Sequence, residues 1–252
     1  LLRKEVQPVS VVGYADFLLR WQHLHPEERF SGPDALQRAM AQLRGATAPG
    51  IVWLRDMLTL RVRDYREMDL EMLCASGEWF WVGLGGKDPK RSRIRLLPRG
   101  EGALFLEPQP EDLSELSAEA RAVLAFLQQE GACFLADLQS GLGLDSQAIG
   151  VALIELVMAG LVTNDTIGAL REIIMHPVSE EDRPPLSSLE AELDAWRRSR
   201  PQPRLTAERY RAAKHRVAKV VRDSPRWPGR WSLVHRFSAW GQDVSPEERA
   251  AQ

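Results

Sequence analysis

Residues 79–96 read Trp79-Phe80-Trp81-Val82-Gly83-Leu84-Gly85-Gly86-Lys87-Asp88-Pro89-Lys90-Arg91-Ser92-Arg93-Ile94-Arg95-Leu96, and this stretch decides the fold. The aromatic and β-branched run Trp79–Val82 predicts a strand, and Gly83 with the Gly85-Gly86 pair predicts the turn that ends it. From Arg91 to Leu96 charged residues alternate with smaller or apolar ones. A period of two places Arg91, Arg93 and Arg95 on one face of a returning strand and Ile94 and Leu96 on the other. Ala103-Leu104-Phe105-Leu106 predicts a third strand. The stretch is therefore a β-hairpin with a basic face.

Upstream of the hairpin lie three helical patterns. Leu36, Ala39, Met40 and Leu43 follow Asp34 and stop at Gly45; Ile51, Leu54, Met57 and Leu58 form the second; the third runs from Glu67 to Ser76 and ends at Gly77. Three helices followed by a hairpin is the order of a winged-helix module. Ahead of them, Ser10 is placed to cap a helix reaching about Leu24. Tyr14, Phe17, Leu18, Trp21 and Leu24 make its apolar stripe, before Pro26 and Gly32-Pro33 break the chain.

The order repeats downstream. After the acidic, proline-containing stretch 107–115, a helix is expected over Ser117–Gln129, ended by Gly131, and a short one over Phe134–Leu138. Asp145 caps a third, whose Ile149, Ala152, Leu153, Leu156 and Val157 recur at helical spacing, with Gly160 as its left-handed stop. Leu161-Val162-Thr163 and the Asn164-Asp165 turn are expected to begin a second wing. Beyond Pro177 the chain becomes rich in Pro, Ser and charge. A basic helix is expected over residues 206–222 and an aromatic, basic segment over Arg226–Trp240. The fold class is mainly α with small β-hairpins (α+β). The expected organisation is an N-terminal helix (1–30), a first winged-helix module (31–107), a second (108–177), and a linker and basic segment (178–252).

Composition bounds the function. The 252 residues allow one large domain or two to three small ones, and 44% hydrophobic with 27% charged residues is ordinary for a globular protein. No window of about eighteen uncharged apolar residues exists, so a membrane-spanning helix is excluded. Cys74 and Cys133 have no metal-binding spacing, and without a disulfide framework a reducing cytoplasm is the expected location. The first residues contain neither an initiator Met nor a signal-peptide core, so the chain reads as a piece of something longer. Net charge is only −2, but it is divided: residues 86–100 hold six basic residues against one acid, and residues 204–236 ten against two. Charge separated in this way predicts an anionic partner met by two patches.

Three segments carry a resemblance. Glu155-Leu156-Val157-Met158-Ala159-Gly160-Leu161-Val162-Thr163-Asn164-Asp165-Thr166, with Leu170-Arg171 following, resembles a signature run of the Lhr (large helicase-related) family of ATP-dependent DNA helicases. Gly229-Arg230-Trp231-Ser232-Leu233 is similar to a second family run, and Arg20-Trp21-Gln22-His23 and Leu73-Cys74-Ala75-Ser76-Gly77-Glu78 to earlier landmarks. The resemblance implies an accessory region after the motor and the first winged-helix domain of the family's core. It implies a superfamily-2 motor moving 3′ to 5′ on single-stranded DNA, acting in DNA repair, with ATP and Mg in that motor. The partners it implies are single-stranded DNA or a 3′-tailed duplex and the motor domains of the same chain. Ile167 departs from the pattern, standing where the family usually has an aromatic residue. No GxxxxGK[ST] loop and no DExH box occur here, so no cofactor and no catalytic residue is expected in this segment. Gly83-Leu84-Gly85-Gly86-Lys87 is read as a hairpin tip.

The candidate contacts follow. Lys87, Lys90, Arg91, Arg93 and Arg95 on the wing are placed to displace counterions from phosphates; the plain alternative is a solvated hairpin. Trp21 reads as core packing on its own pattern, whereas the resemblance implies that it stacks on a base, with Arg20 beside it taking a phosphate. Residues 204–236 read either as a basic tail or as a DNA-tracking segment. Within them Arg209, Arg211, Lys214 and Arg216 are candidate phosphate contacts, and Trp231 is a candidate anchor of the linker to the next module. The third helix of each module offers Glu67, Asp69, Glu71 or Glu155 where a groove reader needs basic or amide groups, so neither is expected to enter a groove. His23, His25, Glu27 and Glu28 lack metal-ligand spacing, and no metal site is expected. Two other classes stay open, a tandem winged-helix DNA glycosylase and a winged-helix transcription regulator. The first lacks a telling carboxylate pair and the second is disfavoured by the acidic third helices.

Overall fold

A computed structural model describes residues 8–86, 88–176 and 227–250. Helix α1 (Val11–Trp21) is capped by the Ser10 hydroxyl, which accepts the Gly13 N–H at 3.1 Å. Then come α2 (Ala35–Gln42), strand β1 (Thr47–Pro49), and α3 (Gly50–Val52), which continues as a π-helical turn over Trp53–Met57. Helix α4 (Glu67–Ala75), β2 (Trp79–Gly83) and β3 (Arg93–Pro98) complete the first unit. The expected hairpin is present: β2 and β3 pair antiparallel, with Trp81 opposite Leu96.

The third strand is not the expected one. Residues 102–105 form a short helix, α5 (Gly102–Phe105), and the outer edge of β3 is taken by β1, with Ala48 opposite Ile94. A four-residue apolar run does not distinguish strand from helix by periodicity. Here packing decides: a Cβ on Gly102 would come within 2.9 Å of the Trp240 Cα, so α5 seats closely on a later helix.

The second unit has α6 (Ala118–Glu130), α7 (Leu135–Leu142) and α8 (Ser146–Met158), close to expectation, with Ser117 and Asp145 as N-caps accepting from Ala120 and Ala148. After Gly160, left-handed at φ +70°, comes β4 (Val162–Asn164). The expected second wing hairpin does not follow. Asn164 Oδ1 accepts from the Thr166 N–H and hydroxyl, Thr166 then caps Ala169, and the chain is committed to α9 (Ile167–Met175). The partner of β4 is instead β5 (Trp231–Leu233), some seventy residues on, pairing antiparallel with Thr163 opposite Ser232. Two short helices, α10 (Phe237–Trp240) and α11 (Pro246–Ala250), end the described chain.

One hydrophobic core runs through both units, from Leu36 and Trp53 through Trp81 to Leu153, Ile173 and Trp231. Strand β2 is buried along its whole length because both of its faces are covered. Trp79 and Trp81 face this core, while Phe80 and Val82 join a second cluster with Leu97, Leu106, Val234 and Trp240. Residues 227–240 thus strap the two units together, with Trp231, 0% exposed, set in their shared core and not in a following module. Gly83 is required at the crossing of β2 and α8, where a Cβ would lie 2.3 Å from the Val157 carbonyl oxygen.

Candidate nucleic-acid interface

The wing tip is built around Asp88. Its backbone carbonyl accepts the Ser92 N–H and the Ser92 hydroxyl, both at 2.8 Å, and its carboxylate accepts the Lys90 N–H at 3.0 Å. This knot orders residues 88–92 and leaves the side chains of Lys90 and Arg91 exposed. Arg93, also exposed, is steadied on β1: its Nε donates to the Thr47 hydroxyl at 3.0 Å and its Nη2 to the Thr47 carbonyl at 2.8 Å. Lys90, Arg91 and Arg93 therefore share one end of the sheet. Lys87 lies outside the described residues.

The alternation of Arg91, Arg93 and Arg95 holds, but its expected consequence for Arg95 is corrected. The face it occupies is covered by α5 and the C-terminal strap. Arg95 is half-buried, and its Nη1 donates to the Phe105 carbonyl. Burial pushes the Arg95 pKa down. It fronts a cavity beneath the wing and not the solvated face.

Helix α1 departs most from the expectation of packing. None of its residues is buried; Tyr14, Phe17 and Trp21 are 54%, 53% and 64% exposed. Among the described residues the Trp21 ring stacks on Phe17, with centroids 6.0 Å apart, and its backbone carbonyl accepts Gln42 Nε2 at 2.8 Å, which ties down the helix end. Trp21 is thus not core material for these residues. Arg20 is engaged by carboxylates: Nε meets Asp16 at 2.9 Å, and Nη1 lies 3.3 Å from Glu28 and 3.6 Å from Glu27. The hydrogen bond to Asp16 raises its pKa. A phosphate at Arg20 would meet three carboxylates, and the aromatic stripe is the more open feature of this helix.

The acids of the third helices have structural partners. Glu71 of α4 accepts the Ile167 and Gly168 N–H groups at 2.9 and 3.2 Å, capping α9 from the other unit, and Glu67 pairs with Arg171. Asp69 pairs with Arg66 at 3.0 Å. Glu155 of α8 accepts the N–H and hydroxyl of Ser117 at 2.7 and 2.6 Å. Glu67 and Glu71 bind the two units together, while Glu155 ties α8 to the start of α6, and these structural uses account for acids where a groove reader would carry cations. His23 is 2.6 Å from the Glu28 carbonyl through Nδ1, and no group of three or more potential metal ligands occurs among the described residues. Arg209, Arg211, Lys214 and Arg216 lie outside the described residues. No single helix among the described residues is long and apolar enough to cross a membrane.

The sequence reading missed the cavity beside Arg95. Its walls come from residues 82–85, 105–108, 110, 158–160 and His235, segments that no local pattern connects. Burial lowers the pKa of His235, whose Nε2 donates to the Glu107 carbonyl at 3.1 Å.

Comparison with known proteins agrees with this architecture. Residues 9–99 match the family model of the large helicase-related protein winged-helix domain. The chain is 32% identical over 235 residues to a Mycolicibacterium smegmatis protein named Lhr helicase/probable uracil glycosylase, aligning 92% of this chain with 14% of that protein. It is 27% identical over 253 residues to the Escherichia coli Lhr helicase/uracil glycosylase, aligning 92% of this chain with 15% of that protein. The chain therefore spans about one seventh of the length of these relatives.

Proposed function

The chain belongs to the large helicase-related (Lhr) family, and from that premise we propose that it is a DNA-binding accessory segment which holds single-stranded DNA for an ATP-dependent motor elsewhere in the same polypeptide, in DNA repair. The observation that carries this reading is the ordered wing tip, where Lys90, Arg91 and Arg93 stand exposed at one end of a sheet whose Phe80, Trp81, Ile94 and Leu96 are buried. Each cation set against a phosphate releases condensed counterions, which gives affinity without sequence preference. Trp21, with Phe17 and Tyr14 along the same exposed helix, offers flat apolar faces to unpaired bases, each stack contributing about 1–3 kcal/mol. The third helices are engaged with each other's units, so the modules act as a scaffold that presents a wing and an aromatic helix to a strand.

The names of both relatives include uracil glycosylase. Those names belong to proteins some seven times longer, and nothing among the described residues favours that activity over strand holding.

The experiment is a salt titration of single-strand affinity for the chain and its Lys90→Ala/Arg93→Ala variant. Removing two phosphate contacts lowers the slope of log affinity against log salt by about 1.4 on single strands. An unchanged slope takes the wing out of the footprint.

A further inference from the structure

Beneath the wing lies a cavity of about 590 Å³, where β2, α5, the end of α8 and the C-terminal strap meet. Its size and its place between structural units are those of small-ligand sites. Leu84, Phe105, Leu106 and Met158 give it apolar walls, and Arg95 supplies a cation. That cation is incompletely satisfied. Nη1 donates to the Phe105 carbonyl, Nε is buried with no partner, and no carboxylate pairs with Arg95 among the described residues. Glu107 at the rim does not neutralise it; its side chain is 94% exposed, 3.8 Å from Arg249. A buried guanidinium nitrogen without an acceptor is costly and calls for one. Nε–H and the adjacent Nη2 form one edge of the guanidinium fork, which matches two oxygens of a single oxyanion.

Arg95 follows Arg93 by two residues on the same face of β3, about 6.7 Å further along the strand. The cavity therefore lies within two residues of the wing cations along β3. We propose that this cavity receives the terminal nucleotide of a single strand, with the terminal phosphate on the unpaired edge of Arg95 and the base against the wall of Phe105, Leu106 and Met158. The inference rests on the strand-holding reading and adds to it an end-recognition site. The same chemistry would admit a free nucleoside monophosphate, and the test separates the two sources.

Single-strand affinity of the 252-residue chain is measured with (dT)12 carrying a 5′-phosphate, a 3′-phosphate, or hydroxyls at both ends, alongside thermal protection by dTMP, thymidine and inorganic phosphate. Charge-assisted hydrogen bonds of this kind predict about ten- to a hundredfold tighter binding for one of the phosphorylated strands. Arg95→Met and Arg95→Lys remove that preference, the lysine variant keeping the charge but losing the fork. Ala159→Trp removes it by blocking an exposed position of the cavity lining, leaving Arg95 intact; its melting temperature reports whether it folds. All three keep the salt dependence set by Lys90 and Arg93. Equal affinity for all strands, with the wing's salt slope intact, overturns this inference and leaves the strand-holding reading standing. Protection by dTMP without any end preference also overturns it, in favour of a free-nucleotide site. No strand binding at all overturns both.

Discussion

Two tryptophans that look alike in sequence have opposite environments, and exchanging each for alanine measures the difference. Trp231 is 0% exposed, sits in the core that joins the two units, and has a ring centroid 6.0 Å from that of Trp227. A fully buried tryptophan removes roughly 200 Å² from water, which at about 25 cal/mol per Å² amounts to about 5 kcal/mol. Extended-chain reference areas inflate that figure. The Trp231 indole N–H is also buried without a partner, so its removal relieves a cost and offsets part of the loss. The expected destabilisation is about 3–4 kcal/mol, at the lower end of the usual Trp→Ala range. For a chain of this size that lowers the melting temperature by about 6–16 °C. Trp21, 64% exposed on a helix with no buried residue, should cost no more than about 0.5 kcal/mol on the same change. Urea and thermal unfolding followed by far-ultraviolet circular dichroism read both variants. Because one core runs through both units, the Trp231→Ala shift should displace a single transition as a whole. A Trp231→Ala shift under about 2 °C, or a loss confined to a separate early transition, refutes the view that the strap is part of the core.

Other perturbations follow the same geometry. Trp21→Ala should weaken single-strand binding by about 1–3 kcal/mol while leaving the melting temperature in place, as read by fluorescence anisotropy and calorimetry. Gly241→Ala should be strongly destabilising, since its φ is +83° and a Cβ would lie 1.8 Å from the Gly100 carbonyl oxygen; a folded variant of unchanged melting temperature contradicts the placement of the strap. Glu71→Ala removes the acceptor for two N–H groups at the start of α9 and should cost about 1–2 kcal/mol in urea unfolding. His176 and His235 both have pKa values lowered from 6.5 by burial, so below about pH 6.5 the unfolded chain binds more protons than the folded one. Stability should therefore fall as pH drops through that region, and His235→Gln should flatten the fall; a melting temperature level from pH 7.5 to pH 5 contradicts it.

Local signals carried much of the architecture. Ser10, Ser117 and Asp145 act as the helix caps their residue types suggest, and the alternation of Arg93, Ile94, Arg95 and Leu96 gives the right faces of β3. What sequence periodicity could not convey was which faces would be covered. Arg95 lies on the predicted face of its strand, yet α5 and the strap close over it, because segments far apart in the chain meet there. The same long-range pairing hid β1 and β5, three-residue strands that exist only through their partners Ile94 and Thr163. The stripe on α1 failed in the other direction. Its apolar period is helical, but nothing among the described residues covers it. The acids of α4 and α8 were legible as incompatible with a groove; their capping of α9 and the Ser117 turn was not.

The most direct test of strand holding is site-specific photo-cross-linking of labelled (dT)20 from benzoylphenylalanine introduced singly at positions 90, 21 and 147. The wing tip and the exposed aromatic helix are expected to label strongly, and position 147, on the third helix of the second unit, to stay dark. Label at position 147 with positions 90 and 21 silent would mean that a third helix, and not the wing, meets the nucleic acid.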